Sequence, residues 1–151
     1  MEAETSLVHG TCIALDAGAA VLQGPSGIGK SDLALRCIMQ PAYVNGRALT
    51  ARLVADDQVV LERRGLSVWA RPPAAIAGKL EVRGMGIIEV PHAPEARLRL
   101  VVQLVGADAV ERLPEPTETA VLGVALPLVQ IAPLETSAAL KVLLALLQAS
   151  R

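Results

Sequence analysis

The chain has 151 residues, enough for one domain that buries its own core without disulfide or metal staples. Its apolar share of 52% comes almost wholly from Ala, Val, Leu and Ile, with no Phe, one Trp (Trp69) and one Tyr (Tyr43), so base stacking on nucleic acid is all but excluded. The 14 Lys and Arg against 15 Asp and Glu leave a net charge of −1, too little field to gather a polyanion and too little repulsion to keep aliphatic monomers apart, so we expect a homo-oligomer and no nucleic-acid partner.

Residues 7–16 and 19–23 read as two aliphatic strands split at Ala17-Gly18, a hairpin that feeds the glycine-rich stretch beginning at Gly24. Residues 30–39 carry Leu33, Ala34, Cys37 and Ile38 at helical spacing, and Pro41 stops that helix. Residues 42–52 have no clear period and read as a surface loop, longer than expected between a helix and the strand after it. Leu53-Val54-Ala55 then reads as a strand ending in Asp56-Asp57, followed by strands at 59–61 and 66–70 with a turn at Arg64-Gly65.

After Pro72-Pro73, residues 80–90 are strand-like with Arg83-Gly84-Met85-Gly86 inside, where the glycines mark a bend. Residues 97–105 read as another strand, and 119–131 as strand-like runs interrupted by Pro127. Residues 135–148 place Leu140, Leu143, Leu144 and Leu147 at helical spacing, with Thr136 or Ser137 as cap. Cys12 and Cys37 fit no zinc spacing and read as buried thiols. No run of 18 apolar residues occurs and Met1-Glu2-Ala3-Glu4 is acidic, so a soluble, cytoplasmic protein without membrane insertion is expected.

The most specific feature is Gly24-Pro25-Ser26-Gly27-Ile28-Gly29-Lys30-Ser31, which matches G-x-x-x-x-G-K-[ST] between an apolar strand and a helix. Four fixed positions at that spacing arise by chance in on the order of one chain in several hundred. Glycines let successive N–H groups turn inward on a β-phosphate at a helix N-terminus, Lys30 reaches the β- and γ-phosphates, and Ser31 supplies a hydroxyl to Mg²⁺. ATP and Mg²⁺ are therefore the expected cofactors. Asp56 and Asp57 end the strand where such proteins keep the acidic group that orients the metal or activates a nucleophile, so one carboxylate each could serve as metal ligand and proton acceptor. His9 lies one hairpin upstream and strand pairing could return it to the phosphates, while Glu81 and Arg83 have a salt-bridged strand pair as their plain alternative.

Together, His9-Gly10, the glycine loop, Val54-Ala55-Asp56-Asp57 and the segment Leu80-Glu81-Val82-Arg83-Gly84-Met85-Gly86-Ile87-Ile88 resemble the catalytic domain of HPr kinase/phosphorylase over residues 7–131. That resemblance implies an α/β fold of the P-loop, phosphoenolpyruvate carboxykinase-like type: a mixed sheet with a P-loop helix and a C-terminal helix. It implies an ATP-dependent kinase for a serine of an HPr-like phosphocarrier, a reverse phosphorolysis that releases pyrophosphate, and hexamers. By the same resemblance His9 is an active-site histidine, Lys30 the loop lysine and Ser31 a metal-binding hydroxyl. Asp57 is the acid/base, Glu81 joins Ser31 and Asp56 about the metal, and Arg112 in Glu111-Arg112-Leu113 is an active-site arginine. Pro25 departs from an Asp found in many members, and the basic segment used for phosphorolysis has no counterpart near Pro133-Leu134-Glu135. Weak phosphorolysis is expected in consequence. Two rival readings are an ATP-gated regulator that acts through a partner such as a sensor kinase, and a metabolite kinase, against which the small size speaks.

Overall fold

In the computed structural model, which describes residues 4–150, the first apolar run divides into β1 (Thr5–His9) and β2 (Thr11–Leu15). The acidic residues 1–3 lie outside the described residues. Gly10 forms the break: a Cβ there would stand 2.9 Å from the Leu22 carbonyl oxygen, so only glycine lets the chain bend so close to the next strand. β2 makes the expected hairpin with β3 (Gly18–Gln23), which leads into the glycine loop and α1 (Lys30–Met39).

Residues 42–52 are not a loop. They form a hairpin of β4 (Ala42–Val44) and β5 (Arg47–Leu49) around Asn45-Gly46, both at positive φ (51° and 78°), which suits the tight two-residue turn that Asn-Gly favours. Leu49 and Ala51 then run into the core. Next come β6 (Arg52–Ala55), β7 (Gln58–Arg64) and β8 (Ser67–Arg71), followed by a small hairpin of β9 (Lys79–Val82) and β10 (Gly86–Glu89). β11 (Ala96–Leu104), β12 (Thr117–Val121), β13 (Val124–Ile131) and α2 (Ala138–Ala149) complete the chain.

The main sheet follows the order β1-β7-β8-β11-β3-β2-β6, with β13 also paired to β11 and β12 to β13. β11 is the hub: it runs parallel to β3 and β13 and antiparallel to β8, so the sheet is mixed as expected. Pro127 lies inside β13 rather than interrupting it, because pairing to β11 begins only at Leu128, and a missing N–H costs nothing on that unpaired edge.

Alternation along the strands builds two apolar layers. Ala20 and Leu22 of β3 with Leu100, Val102 and Leu104 of β11 face one layer, where Leu33 of α1 and Val142, Leu143 and Leu146 of α2 cover them. Val21, Leu98 and Val101 face the other, closed by Cys12, Val54, Val59 and Val68 from strands. There the sheet curls on itself, since β6 touches β7 and β8 from the far end of the strand order. Each fully buried Leu contributes about 1.5–3 kcal/mol of transfer free energy. α2 departs from expectation in two details: Leu140 and Leu144 stay exposed, and Ser137 occupies the N-cap without a side-chain capping bond.

Candidate active site

The loop between β3 and α1 bends through Gly27 (φ 83°) and Gly29 (φ 110°). Gly29 is the N-cap of α1 and makes no side-chain cap; Leu33 N–H is the first to find a helical acceptor, the Gly29 carbonyl at 3.0 Å. The N–H groups at the start of α1 therefore stand without a protein acceptor among the described residues, beside a cleft of about 440 Å³. Its walls include Ser26, Gly27, Ile28, Gly29, Lys30 and Ser31, together with His9, Thr11, Asp57, Glu81 and Arg83. A helix start of this kind is an anion site by construction. Lys30 is only 7% exposed, and its ammonium donates to the carbonyls of Gly24 (2.8 Å) and Pro25 (3.1 Å), folding the loop around it.

The two adjacent carboxylates have separate environments. Asp56 is 6% exposed and accepts three hydrogen bonds: Thr11 Oγ1 at 2.9 Å and Ser31 Oγ at 2.7 Å on Oδ1, and the Glu81 N–H at 3.1 Å on Oδ2. Asp57 sits in the left-handed region (φ 69°), and Gln58 N–H reaches back over it to the Asp56 carbonyl at 2.8 Å. That pattern is the rarer, strained γ-turn. It swings Asp57 out of the core into the cleft, where Oδ1 lies 3.0 Å from His9 Nε2 and Oδ2 has no hydrogen-bond partner among the described residues. Gly10 N–H holds the same turn through the Asp57 carbonyl at 3.0 Å.

A family model described as HPr Serine kinase C-terminal domain matches residues 2–148. The chain belongs to this family. Among curated proteins it is 37% identical over 89 residues to an HPr kinase/phosphorylase of Streptococcus thermophilus, covering 58% of this chain and 26% of that protein. It is 37% identical over 102 residues to one of Enterococcus faecalis, covering 65% of this chain and 30% of that protein. The chain thus matches under a third of the length of these relatives. Among solved structures it resembles the Hpr(Ser) kinase/phosphatase from Coxiella burnetii with a TM-score of 0.78 at 21% identity, over 97% of this chain and 96% of that one, which is a likeness of fold.

Within this HPr kinase fold, the structure brings His9, Lys30, Ser31, Asp57 and Glu81 to one cleft and puts Asp56 directly beneath it. Arg112 is not brought there: it lies on the exposed segment between β11 and β12 and is absent from the cleft walls. Arg83 is the arginine that lines the cleft, and neither it nor Glu81 makes a salt bridge among the described residues, so the strand pair imagined between them does not form. Thr11 has no role legible in the sequence. A threonine in an apolar run carries no signal until Asp56, 45 residues away, is placed against it.

The donor set suits a Mg²⁺-bound nucleoside triphosphate. Among the described residues no three His, Cys, Asp or Glu side chains gather into a self-contained metal site. A cation here would take one hydroxyl, from Ser31, and carboxylate help from Asp56 beside it or from Glu81 on the cleft wall, with the remaining oxygens from phosphate and water, as Mg²⁺ prefers. Also among the described residues, no helix is long and apolar enough to cross a membrane.

Proposed function

We propose that this chain is a Mg²⁺-ATP-dependent protein-serine kinase acting on an HPr-like phosphocarrier. The observation that carries the reading is the convergence of an uncapped helix start, a buried Asp56 bonded to Ser31, and an outward Asp57 braced by His9 on one cleft. In this reading the N–H groups of Gly29, Lys30 and Ser31 and the Lys30 ammonium hold the phosphates, while Ser31 Oγ, Asp56 and Glu81 hold the metal side. Bound there, Mg²⁺-ATP supplies an electrophilic γ-phosphoryl group whose charge the cation spreads.

The chain's own residues do the rest. Asp57 Oδ2, unpartnered and facing the cleft, accepts the proton of the incoming serine hydroxyl, and His9 fixes the carboxylate through its other oxygen. Arg83 offers its guanidinium to the phosphoryl oxygens from the cleft wall, the part the resemblance gave to Arg112. Phosphorolysis should be weak, since two phosphate dianions at close range repel by several kcal/mol and Lys30 and Arg83 are the cations at hand. Self-association belongs to the same proposal, supported by Leu140 and Leu144 left exposed on α2, and light scattering tests it.

The test is transfer itself: labelled ATP, Mg²⁺ and a purified HPr-like carrier. Label on a carrier serine, lost without Mg²⁺ and in Asp57→Asn, is the expected result. ATP binding with no transfer to any carrier would overturn the kinase reading in favour of a nucleotide-gated regulator.

A further inference from the structure

β11 carries two partners on one edge, and they do not meet. β8 pairs with Ala96 and Arg97, while β13 begins at Val101, so residues 98–100 lack a strand partner on that side. On the opposite edge the register with β3 slips between Leu98 and Leu100, which makes Arg99 the extra residue of a β-bulge. Bulges re-aim side chains, and here the fork between β8 and β13 opens into a cavity of about 210 Å³. Arg97 and Arg99 line it together with Ser67, with apolar walls from Leu66, Leu98 and Leu126. Room for Arg99 comes from Gly18: a Cβ there would lie 3.1 Å from Arg99 Cγ.

The charge of this cavity is one-sided. Among the described residues no carboxylate lines it and neither arginine makes a salt bridge or a side-chain hydrogen bond, whereas Arg36, Arg47, Arg64 and Arg71 all find carboxylates. Two half-buried arginines without an ion-pair partner among the described residues, beside apolar walls, match a small oxyanion that carries a short apolar body. The cavity lies at the opposite end of β3 and β11 from the glycine loop, since Arg97 pairs with Gly18 and Gln103 with Gln23.

We propose that the fork between β8 and β13 is a second ligand site, in which Arg97 and Arg99 bind a small carboxylate or phosphate anion. The site is separate from the nucleotide cleft and does not depend on the kinase reading. The single tryptophan, Trp69, is not a wall residue and has Arg64 over its ring, but as the β8 residue in register with Arg97 it neighbours the site and gives an optical signal.

Tryptophan emission is followed while inorganic phosphate or butyrate is added at constant ionic strength, in the wild type and in Lys30→Met, where the glycine loop has lost its cation. A saturable change in both proteins is expected, with the stronger response telling phosphate from carboxylate as the preferred head. The affinity should weaken about tenfold or more in Arg97→Gln/Arg99→Gln, since each charge-assisted contact to a half-exposed arginine is worth about a factor of three or more. Should that pair of changes disturb folding, Ala125→Glu, at an exposed position on the cavity wall, sets a carboxylate against the anion and should abolish binding equally. No saturable change, a change retained in Arg97→Gln/Arg99→Gln or in Ala125→Glu, or a change lost in Lys30→Met would overturn the proposal. Loss of ATP binding in Lys30→Met with the anion response intact would bear on the kinase reading alone.

Discussion

Thr11→Val replaces a buried hydroxyl by a methyl of nearly equal volume and so isolates one hydrogen bond. Thr11 is fully buried and Oγ1 donates to Asp56 Oδ1 at 2.9 Å, leaving Asp56 with the Ser31 hydroxyl and the Glu81 N–H when it is removed. A hydrogen bond to a carboxylate is worth about 1.5–3 kcal/mol, and the added methyl returns about 0.8 kcal/mol of apolar burial, so the net loss should be about 1–2 kcal/mol. For a 151-residue domain the unfolding entropy makes each kcal/mol worth roughly 3 °C, so Tm should fall by about 3–6 °C. Thr11→Ser keeps the donor and should recover most of the loss. A double-mutant cycle with Asp56→Asn, read by calorimetry, should give a coupling of about 1 kcal/mol or more. Unchanged Tm in Thr11→Val, or a cycle with zero coupling, would refute the idea that Thr11 holds Asp56 in place for Ser31.

Lys30→Met loses the ammonium's ties to Gly24 and Pro25 but keeps the volume of a side chain that is only 7% exposed, so it should fold by circular dichroism yet lose phosphotransfer, while Lys30→Ala should lose more stability because it also leaves that volume empty. Asp57→Asn cannot accept a proton and should lower turnover by roughly 10²–10⁴ with nucleotide affinity little changed, as measured by equilibrium binding beside kinetics. Burial holds the Cys12 thiol far above its ordinary pKa and pushes Cys37 up to about 12, against a smaller opposing pull from Arg36. Because a raised thiol pKa keeps the unreactive protonated form, neither cysteine should react with a disulfide reagent at pH 8 until the protein unfolds, and rapid native labelling would contradict the packing.

Arg112 is a case where likeness in sequence and position in space part company. Glu111-Arg112-Leu113 looks like an active-site segment, yet within this chain it falls on an exposed stretch after β11, and Arg83, at the turn between β9 and β10, is the arginine that lines the cleft. A short motif says nothing about the path of a loop, whose course is set by whatever the flanking strands pair with.

Local chemistry made much of the fold readable in advance. Helical spacing and Pro41 bound α1 at Lys30–Met39, the glycines place a tight loop at its start, and Gly84 and Gly86 mark the turn between β9 and β10. Such signals act between neighbours in the chain, so residue type alone decides them. Asn45-Gly46 belongs to this class too, but the strands beside it, with only three residues each, are too short to show a strand period. Everything else depended on partners distant in sequence. That β1 leaves β2 to pair with β7, that β11 is the hub, and that β8 and β13 fork around Arg97 and Arg99 follow from strand register, which is settled by the competition of two apolar layers for the same strands. The sequence could offer two carboxylates, Asp56 and Asp57, with two tasks; only the tertiary structure could divide them. Thr11 and Ser31 fasten Asp56 below the cleft, and a γ-turn across Asp57 presents it to His9, 48 residues away.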